Sequence, residues 1–245
     1  MKKILVIGET CRDIFCYGRT ERLCPEAPAP VFNPIDEIQT TGMAMNVQRN
    51  VISLGMECDI VTNANWHDVV KTRYIHKNTN QMFIRIDVND DQIGRCDLTN
   101  IDFKQYSAVI ISDYCKGYLT EEDIAHVGAN HDCVFLDTKR ILGPWCENVT
   151  FIKINQYEYE KTKPTVTDKI RDRLITTYGN RGCEYQGKLF EVEKVDIKDV
   201  TGAGDTFMAA LATEYVTSQD IEKAIIRANE CATLVVQKRG VSIPT

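Results

Sequence analysis

The sequence lacks the features that define several protein classes. Its apolar runs fall well short of the ~18 consecutive residues that a membrane-spanning helix needs. It has no excess of positive charge: 29 Lys and Arg against 35 Asp and Glu give a net charge of −6, so nucleic acid is not expected as the main partner. The 10 cysteines include no C-x-x-C pair, and only 4 histidines accompany them, which argues against a structural zinc site.

The composition that remains is that of a globular protein. With 245 residues, 43% of them hydrophobic and 26% charged, the chain is long enough for one domain spanning residues 1–245 with a substantial core. The opening MKKILVIGET looks superficially like a signal peptide, but Glu9, Arg12 and Asp13 interrupt it, so we interpret it as a buried strand. Several cysteines lie within apolar runs, and we expect reduced, structural thiols in a cytoplasmic protein.

Short continuous apolar runs predict strands that are buried on both faces. They lie at residues 1–8, 58–62, 108–112, 133–137, 150–154 and 174–177. Segments with helical spacing, such as 45–54 and 120–127, lie between several of them. This alternation predicts an α/β fold, doubly wound, with a mostly parallel sheet and helices on both faces. In such sheets ligands bind at the carboxyl ends of the strands.

One region departs from this alternation. Residues 71–88 alternate apolar and polar side chains with period two around a central NTN, which predicts an antiparallel hairpin. Together with the proline-rich CPEAPAPVF at 24–32, this hairpin predicts a small β flap over about residues 12–40 and 71–90.

The stretch DVTGAGDTFMAAL at 199–211 predicts an anion site at a helix start. Glycines allow the backbone to approach an anion, and a helix N-terminus offers free N–H groups and partial positive charge. Asp205 is the unusual member, because a carboxylate beside an anion needs a task, such as orienting the proton of an attacking hydroxyl. The alternative is that Asp205 is an ordinary helix-start residue. Phe207, Met208, Leu211, Tyr215 and Val216 are expected to form the buried stripe of this helix.

A second pattern follows the strand at 150–154. Asn155 and Glu158 are three residues apart, so they share a face on an opening helical turn. Their oxygens suit a Mg²⁺ that keeps its own waters and travels with nucleotide phosphates. Alone, N-x-x-E more often marks a solvated helix start.

These residues together resemble the ribokinase-like, or PfkB, family of carbohydrate kinases, whose C-terminal signature DVTGAGDTF matches almost letter for letter. Within that family the chain is similar to the kinases of D-glycero-β-D-manno-heptose 7-phosphate. The passages that carry this similarity are GETCRDIFCYG, ERLCPEAPAPVF, NVISLG, IRIDV, SDYCKGYLT and FLDTK, and the resemblance extends over residues 4–243.

The resemblance implies a role for each matching residue, with ATP and Mg²⁺ as cofactors. It makes Asp205 the catalytic base and gives the N–H groups of Gly202, Ala203 and Gly204 to the transferring phosphoryl group. Asn155 and Glu158 would arrange Mg²⁺ and the nucleotide phosphates. The remaining matches fall into two groups, namely Asp13, Gly42, Asn46, Lys71, Arg73, Asp113 and Lys116 for the sugar, and Asp137, Lys139, Thr177, Gly179, Gly182 and Asn229 for the nucleotide. For Lys71 and Arg73, the alternative is a solvated strand face.

The chain also departs from the family pattern. A paired glycine at the sugar site is replaced by Met43, whose side chain is expected to reshape the sugar pocket. The links at 55–71 and 161–173 are shorter than usual, so a helix and a strand are expected to be missing. No H-x-G-H motif of an adenylyltransferase is present, so we expect a kinase only.

The leading hypothesis is therefore a Mg·ATP-dependent kinase that converts D-glycero-D-manno-heptose 7-phosphate to the 1,7-bisphosphate. The alternatives are another small PfkB kinase acting on ribose, fructose or a nucleoside, and a non-catalytic binding relative. Partners are expected to be small molecules, without nucleic acid or membrane. The resemblance also implies a homodimer through the flap face of Met82, Ile84 and Ile86, unless that face covers the chain's own sheet.

Overall fold

The computed structural model describes residues 2–244 and contains two β-sheets. The strands of the larger sheet are β1 (Lys3–Gly8), β4 (Glu57–Val61), β7 (Ala108–Asp113), β8 (Val134–Thr138), β9 (Phe151–Asn155), β10 (Leu174–Thr177), β11 (Cys183–Tyr185) and β12 (Lys188–Phe190). The strands of the smaller sheet are β2 (Thr10–Leu23), β3 (Pro30–Met43), β5 (Val70–His76) and β6 (Met82–Val88).

The larger sheet has the order β12-β11-β10-β9-β8-β7-β1-β4. Its strands from β10 to β4 pair in parallel, and only the β10–β11–β12 edge is antiparallel. The carboxyl ends of β7, β8 and β9 therefore lie side by side at one edge, where the polar residues that follow them meet.

Alternate side chains of each central strand enter two separate cores. In β1, Ile4 and Val6 belong to one hydrophobic cluster, whereas Leu5 and Ile7 belong to the other. Successive residues of a strand point to opposite faces, so a sheet covered on both sides needs continuous apolar strands. This explains the uninterrupted apolar runs, and it confirms the predicted doubly wound α/β fold.

Six α-helices lie within the described residues. They are α1 (Ala44–Ser53), α2 (Glu121–Asn130), α3 (Gln156–Thr162), α4 (Asp168–Arg171), α5 (Ala203–Ser218) and α6 (Ile221–Val236). Helices α1, α5 and α6 cover the face of Ile4, and α2 and α4 cover the face of Leu5. The buried stripe predicted for α5 is present, with Phe207, Met208, Leu211 and Val216 buried and Tyr215 half-buried. Burial extends further than predicted, since all residues from Asp205 to Ala212 are buried where α5 lies between the sheet, α1 and α6.

The smaller sheet forms the flap and has the order β3-β2-β5-β6. Its β5–β6 hairpin confirms the strand pattern predicted around NTN. Met82, Ile84 and Ile86 on the edge strand β6 are 53%, 55% and 43% exposed, so this apolar face does not cover the chain's own sheet. The division of the chain into domains stays a prediction.

The far end of the flap contacts the C-terminal segment. Asn80, in the β5–β6 turn, donates its side-chain N–H to the carbonyl of Lys198. Arg239 donates to the carbonyl of Lys77 at 3.3 Å, and Val241 packs against Phe15 of the flap core. The flap is therefore attached at its tip as well as at the roots of its strands.

Two expectations about the link regions are answered by the fold. Residues 62–69 join β4 to β5 through turns with no helix, as the shortened link implied. Residues 161–173 hold only the end of α3, a 3₁₀ turn and the four-residue α4.

Within residues 2–244, all ten cysteines are free thiols, five of them buried. No helix of the described chain has both the length and the apolar character to cross a bilayer.

Candidate active site

The glycine loop turns directly into α5. Gly202 has φ 80°, a left-handed conformation that glycine adopts without strain, and α5 begins at Ala203. The first helical turn leaves backbone N–H groups without intrahelical partners and carries partial positive charge. The Ala203 N–H donates to the carbonyl of Val200 at 3.2 Å, so it reaches an anion only if that turn opens.

Asp205 lies in the first turn of α5 and is buried. Its Oδ2 accepts a hydrogen bond from Asn46 Nδ2 at 2.8 Å, and its Oδ1 accepts one from the Tyr114 hydroxyl at 2.8 Å. Burial raises the pKa of Asp205 from 3.8 to about 6, against the lowering effect of these two hydrogen bonds. A carboxylate poised near neutral pH suits a general base.

Buried polar side chains hold α1 against α5. Thr206 Oγ1 donates to Asn50 Oδ1 at 2.9 Å, and Asn50 donates to the Asn46 carbonyl at 2.8 Å. Asn46 also lies beside the glycine loop, because a Cβ on Gly202 would be 2.9 Å from its Nδ2. Each of these polar groups has a partner, so they fix the register of the two helices at little cost.

Two lysines and two carboxylates form a charged cluster beside the loop. Lys153 Nζ lies 2.7 Å from Asp137 Oδ2, and Lys139 Nζ lies 2.6 Å from Glu158 Oε1. Burial alone would raise the pKa of Asp137, but Lys153 and Lys139 outweigh it and hold that pKa below its usual value. A Cβ on Gly204 would lie 3.0 Å from Lys153 Nζ, so this ammonium faces the helix start.

The N-x-x-E pattern forms a capping box at the start of α3. The Glu158 N–H donates to Asn155 Oδ1 at 2.9 Å, and the Asn155 N–H donates to Glu158 Oε2 at 2.8 Å. The pair therefore has a structural task, and Lys139 occupies the other oxygen of Glu158. The helix-start alternative describes this local arrangement correctly.

The same oxygens fit a magnesium ion that is brought by a nucleotide. Asp137 Oδ1 is buried and accepts no hydrogen bond, and the nearby cation is Lys139 Nζ at 3.7 Å, which also pairs with Glu158. Residues 2–244 contain no group of three or more His, Cys, Asp or Glu placed to hold a metal by themselves. Mg²⁺ commonly uses one or two carboxylates together with phosphate oxygens and water, so this donor set suits it.

A cleft of about 740 Å³ connects these groups. Its walls are apolar towards α6, where Ala232 and Val236 line it, and charged towards β8 and β9. This size and mixed lining are typical of small-molecule sites. Of the residues singled out in the sequence, the cleft brings together Asp137, Lys139, Asn155, Thr177, Gly179, Gly182, Gly202, Ala203, Gly204, Asp205 and Asn229.

The residues expected at the sugar lie at the root of the flap. Asp13 is within β2 rather than in a turn after β1, and its Oδ1 lies 2.5 Å from Arg73 Nη1. A Cβ on Gly42 would lie 2.2 Å from Asp13 Oδ2, so glycine is required there. Lys71 Nζ is 2.8 Å from Asp90 Oδ1, and Lys116 pairs with Asp90 as well. Both flap cations therefore have carboxylate partners and are not solvated, which corrects the solvated-strand alternative.

Asp113 lies elsewhere than expected, and its neighbourhood and that of Met43 are both buried. Asp113 does not face the cleft: it is fully buried, and its Oδ2 accepts from Thr138 Oγ1 at 2.6 Å and Arg140 Nε at 2.8 Å, which ties β7 to the end of β8. Met43 is buried, and its side chain packs in the core cluster that also contains Cys11, so a reshaped sugar pocket stays a prediction. Met43 adopts φ 61° directly before α1, a backbone conformation that glycine would adopt without strain.

Three residues of this site were missed in the sequence. Tyr114 and Lys153 line the cleft, and Glu9 lies behind the Tyr114 loop. A signal existed for Lys153, because a lysine inside an apolar strand is rarely buried without a partner. Tyr114 gave no separate signal within SDYCKG.

Comparison with known proteins gives consistent results. The family described as pfkB family carbohydrate kinase matches residues 72–245. Proteins named "Bifunctional protein HldE" match 98% of this chain, with 28% identity for Hydrogenovibrio crunogenus and 30% for Helicobacter pylori strain HPAG1. The chain spans 60% and 64% of the length of these two relatives. The alignments cover 291 and 297 positions, more than the 245 residues here, so the relatives have residues at positions that this chain lacks.

Solved structures show the same fold at lower identity. A nucleoside kinase of Methanocaldococcus jannaschii, described as an archaeal member of the ribokinase family, has a TM-score of 0.72 at 17% identity, covering 98% of this chain and 93% of that one. Ribokinase of Arabidopsis thaliana, complexed with ribose and ATP, has a TM-score of 0.69 at 16% identity, covering 98% and 95%. The ribokinase-like fold expected from the sequence is thereby confirmed.

Proposed function

Because this chain belongs to the pfkB family of carbohydrate kinases, we propose that it transfers the γ-phosphoryl group of ATP to D-glycero-D-manno-heptose 7-phosphate, giving the 1,7-bisphosphate. The heptose substrate is supported by the passages that resemble heptose 7-phosphate kinases and by relatives named HldE that match 98% of the chain. One observation carries the chemistry: a buried carboxylate, Asp205, lies in the first turn of a helix that begins directly after the glycine loop.

Asp205 acts as the base for the sugar hydroxyl. Each carboxylate oxygen has a second lone pair, so the bonds from Asn46 and Tyr114 leave room to accept the substrate proton. The N–H groups of Gly202, Ala203 and Gly204 would contact the transferring phosphoryl group, once the turn that bonds the Ala203 N–H to the Val200 carbonyl has opened. Phosphoryl transfer depends on such positioning and charge neutralisation more than on covalent chemistry by the protein.

The nucleotide occupies the cleft beside α6. Asn229 holds the cleft wall by donating to the Phe190 carbonyl at 3.0 Å, and Gly182 approaches the same carbonyl so closely that a Cβ would lie 2.0 Å from it. Thr177 and Gly179 border the same wall. The phosphates extend towards Asp137 and Lys139, which form the charged end of the cleft.

Asn155, Glu158 and Asp137 Oδ1 would hold Mg²⁺, with water completing its coordination. When bound, the ion would neutralise phosphate charge. Lys139 now pairs with Glu158, so it would be released to contact a phosphate oxygen once that carboxylate has another cation. Lys153, opposite Gly204, adds positive charge at the helix start.

The sugar lies between the flap and α1. Asp13 and Asn46 supply hydrogen-bonding groups, Gly42 gives them space, and Lys71, Arg73 and Lys116 supply positive charge for a phosphate already on the sugar. Asp113 supports this region through Arg140 and does not itself bind substrate.

A second candidate is a kinase for an unphosphorylated sugar or a nucleoside. It is favoured by one observation: Arg73 is paired with Asp13, and Lys71 with Asp90, so neither cation waits for a phosphate. A non-catalytic binding relative is disfavoured, because binding alone has no use for a buried base.

The test is ADP formation with Mg·ATP across a panel that contains D-glycero-D-manno-heptose 7-phosphate, ribose, fructose and adenosine. We expect turnover on the heptose phosphate, and ³¹P NMR of the product should show a new phosphate on the anomeric carbon. Asp205→Asn, checked for folding by circular dichroism, is expected to lose it. Turnover on another substrate alone would support kinase activity but reject heptose 7-phosphate as the substrate. A folded protein that binds ATP without turning over any of them would reject the kinase.

A further inference from the structure

A second buried carboxylate lies behind the proposed active site. Glu9 follows β1 directly and is fully buried, and it is not part of the cleft. Its two oxygens accept hydrogen bonds from the backbone N–H groups of Tyr114 and Lys116, each at 2.9 Å. Burial raises the pKa of Glu9, and these N–H groups partly oppose that shift. Glu9 thus holds both ends of a three-residue turn.

The turn that Glu9 holds presents Tyr114 to Asp205. Cys115 has φ 58° and Gly117 has φ 92°, so the turn folds back sharply after β7. This geometry directs the Tyr114 hydroxyl to Asp205 Oδ1 at 2.8 Å. The Tyr114 ring also lies below Lys139 Nζ, 5.5 Å from the ring centroid. Few alternative positions are open to a phenol held at its backbone, at its ring and at its hydroxyl.

We propose that Tyr114, held in place by Glu9, is a positioning residue that orients the Asp205 carboxylate. A hydrogen bond donated to a carboxylate also stabilises its ionised form, so the Tyr114 hydroxyl opposes protonation of Asp205. This inference rests on the proposed function, because orientation matters only if Asp205 receives a substrate proton. Asn46 fixes the other oxygen from α1. The Asp205 carboxylate is therefore held by hydrogen bonds from α1 and from the turn after β7, and Asp205 lines the cleft. A misplaced base loses rate steeply, so such a grip has a catalytic use.

Other ionisable groups also act on Asp205. Asp137 from β8 raises its pKa, and Lys153 from β9 lowers it. Lys139 and Cys11 lie close enough to interact with it electrostatically. None of these groups is removed by a change at Tyr114, so the effect of its hydroxyl can be isolated.

The decisive variant is Tyr114→Phe, which removes one oxygen atom and keeps the ring. Tyr106→Phe is the matched control, because the Tyr106 hydroxyl donates to Asp59 Oδ2 at 2.9 Å, outside the site. The midpoint of the Asp205 carboxyl is measured by ¹³C NMR on protein labelled at aspartate carboxyls, with Asp205→Asn identifying the resonance. We expect Tyr114→Phe to raise this midpoint by about one pH unit and Tyr106→Phe to leave it unchanged. An unchanged midpoint in Tyr114→Phe would overturn the proposal.

Kinetics supply a second readout. If the midpoint rises by about one unit, kcat/KM of Tyr114→Phe falls about fivefold more at pH 6 than at pH 8, while ATP affinity is retained. A merely structural role would lower kcat/KM equally at both pH values, and that result would contradict the positioning role of Tyr114.

Glu9→Gln tests whether Glu9 acts through Tyr114. A glutamine amide cannot accept both backbone N–H groups, so the turn loosens and the Asp205 midpoint is expected to rise. In the double variant with Tyr114→Phe, the added change should have no further effect on that midpoint, because the hydroxyl is already gone. Additive shifts would show that Glu9 acts by another route. If Glu9→Gln fails to fold, Tyr114→Phe alone decides.

The two proposals fail in distinguishable ways. The carboxyl titration needs no substrate, so it reports on the Glu9–Tyr114–Asp205 arrangement even if no sugar in the panel is phosphorylated. Absence of turnover with a shifted midpoint would reject the kinase and keep the arrangement. Turnover with an unshifted midpoint would support the kinase and reject the proposed Glu9–Tyr114–Asp205 arrangement.

Discussion

Asp205→Asn is expected to make the protein more stable at neutral pH while removing most of its activity. Burial raises the pKa of Asp205 from 3.8 to about 6. Below pH 3.8 the carboxyl is protonated in both the folded and the unfolded state. Between pH 3.8 and 6 the carboxyl ionises in the unfolded state but not yet in the folded state, so the free energy of unfolding falls. Above pH 6 the carboxyl is ionised in both states, and the full destabilisation of the folded state is present. At 1.36 kcal/mol per unit, that cost is about 3 kcal/mol.

The assay is guanidinium unfolding at several pH values from 4 to 8, followed by tryptophan fluorescence. The gain in unfolding free energy of Asp205→Asn over the wild type should be near zero at the acid end and approach about 3 kcal/mol above pH 7. Asp168→Asn, at a side chain that is 91% exposed, is the control for removing one negative charge, and we expect it to stay within about 0.5 kcal/mol of the wild type. Turnover of Asp205→Asn should fall about 10²- to 10⁴-fold. A stability gain of the same size at pH 4 and pH 8 would refute the reasoning.

Three further outcomes are expected. Gly204→Ala places a methyl group 3.0 Å from Lys153 Nζ, so kcat should fall about tenfold while Tm is kept or raised, because alanine favours the helix; unchanged kcat would contradict this. Lys71→Met should raise KM for the phosphosugar about tenfold, with Lys77→Met on the same flap as the control, and an equal rise for an unphosphorylated sugar would argue against a phosphate contact. Analytical ultracentrifugation should find a dimer that Ile84→Lys converts to a 27.8 kDa monomer, since a half-exposed apolar strand face favours pairing; a monomeric wild type would show that the face is not an interface.

The fold could be predicted largely because its strands are buried on both sides. A strand such as Val134–Thr138 has no polar face, so its apolar run stands out between helical segments. The hairpin around NTN was equally visible, because period-two alternation and a turn coincide there. The short β11–β12 hairpin was not predicted, since three-residue strands carry too little pattern. Helix α6 was also not predicted, although Asp220 caps its start and its buried residues recur at helical spacing.

For the site, local motifs were predictable and long-range hydrogen bonds were not. The glycine loop and the N-x-x-E motif each lie within a few consecutive residues, so they can be recognised in the sequence. Tyr114 reaches Asp205 across 91 positions of sequence, and Glu9 reaches the Tyr114 N–H across 105. Such pairs exist only after the sheet brings β1, β7 and α5 together. Asp113 was misplaced for the same reason, because its partner Arg140 lies 27 residues further along the chain.

The contacts at the tip of the flap have a consequence for how far the flap can move. A sheet anchored only at its root moves as a free lid, whereas this flap is also latched to Lys198 and Arg239. Exposed hydrogen bonds of this kind are worth about 1 kcal/mol each, so each one adds a small free-energy cost to separating the flap tip from the C-terminal segment. The latch at Lys198 lies four positions before Gly202 in the chain. The tip of the flap and the glycine loop are therefore joined through a short stretch of chain.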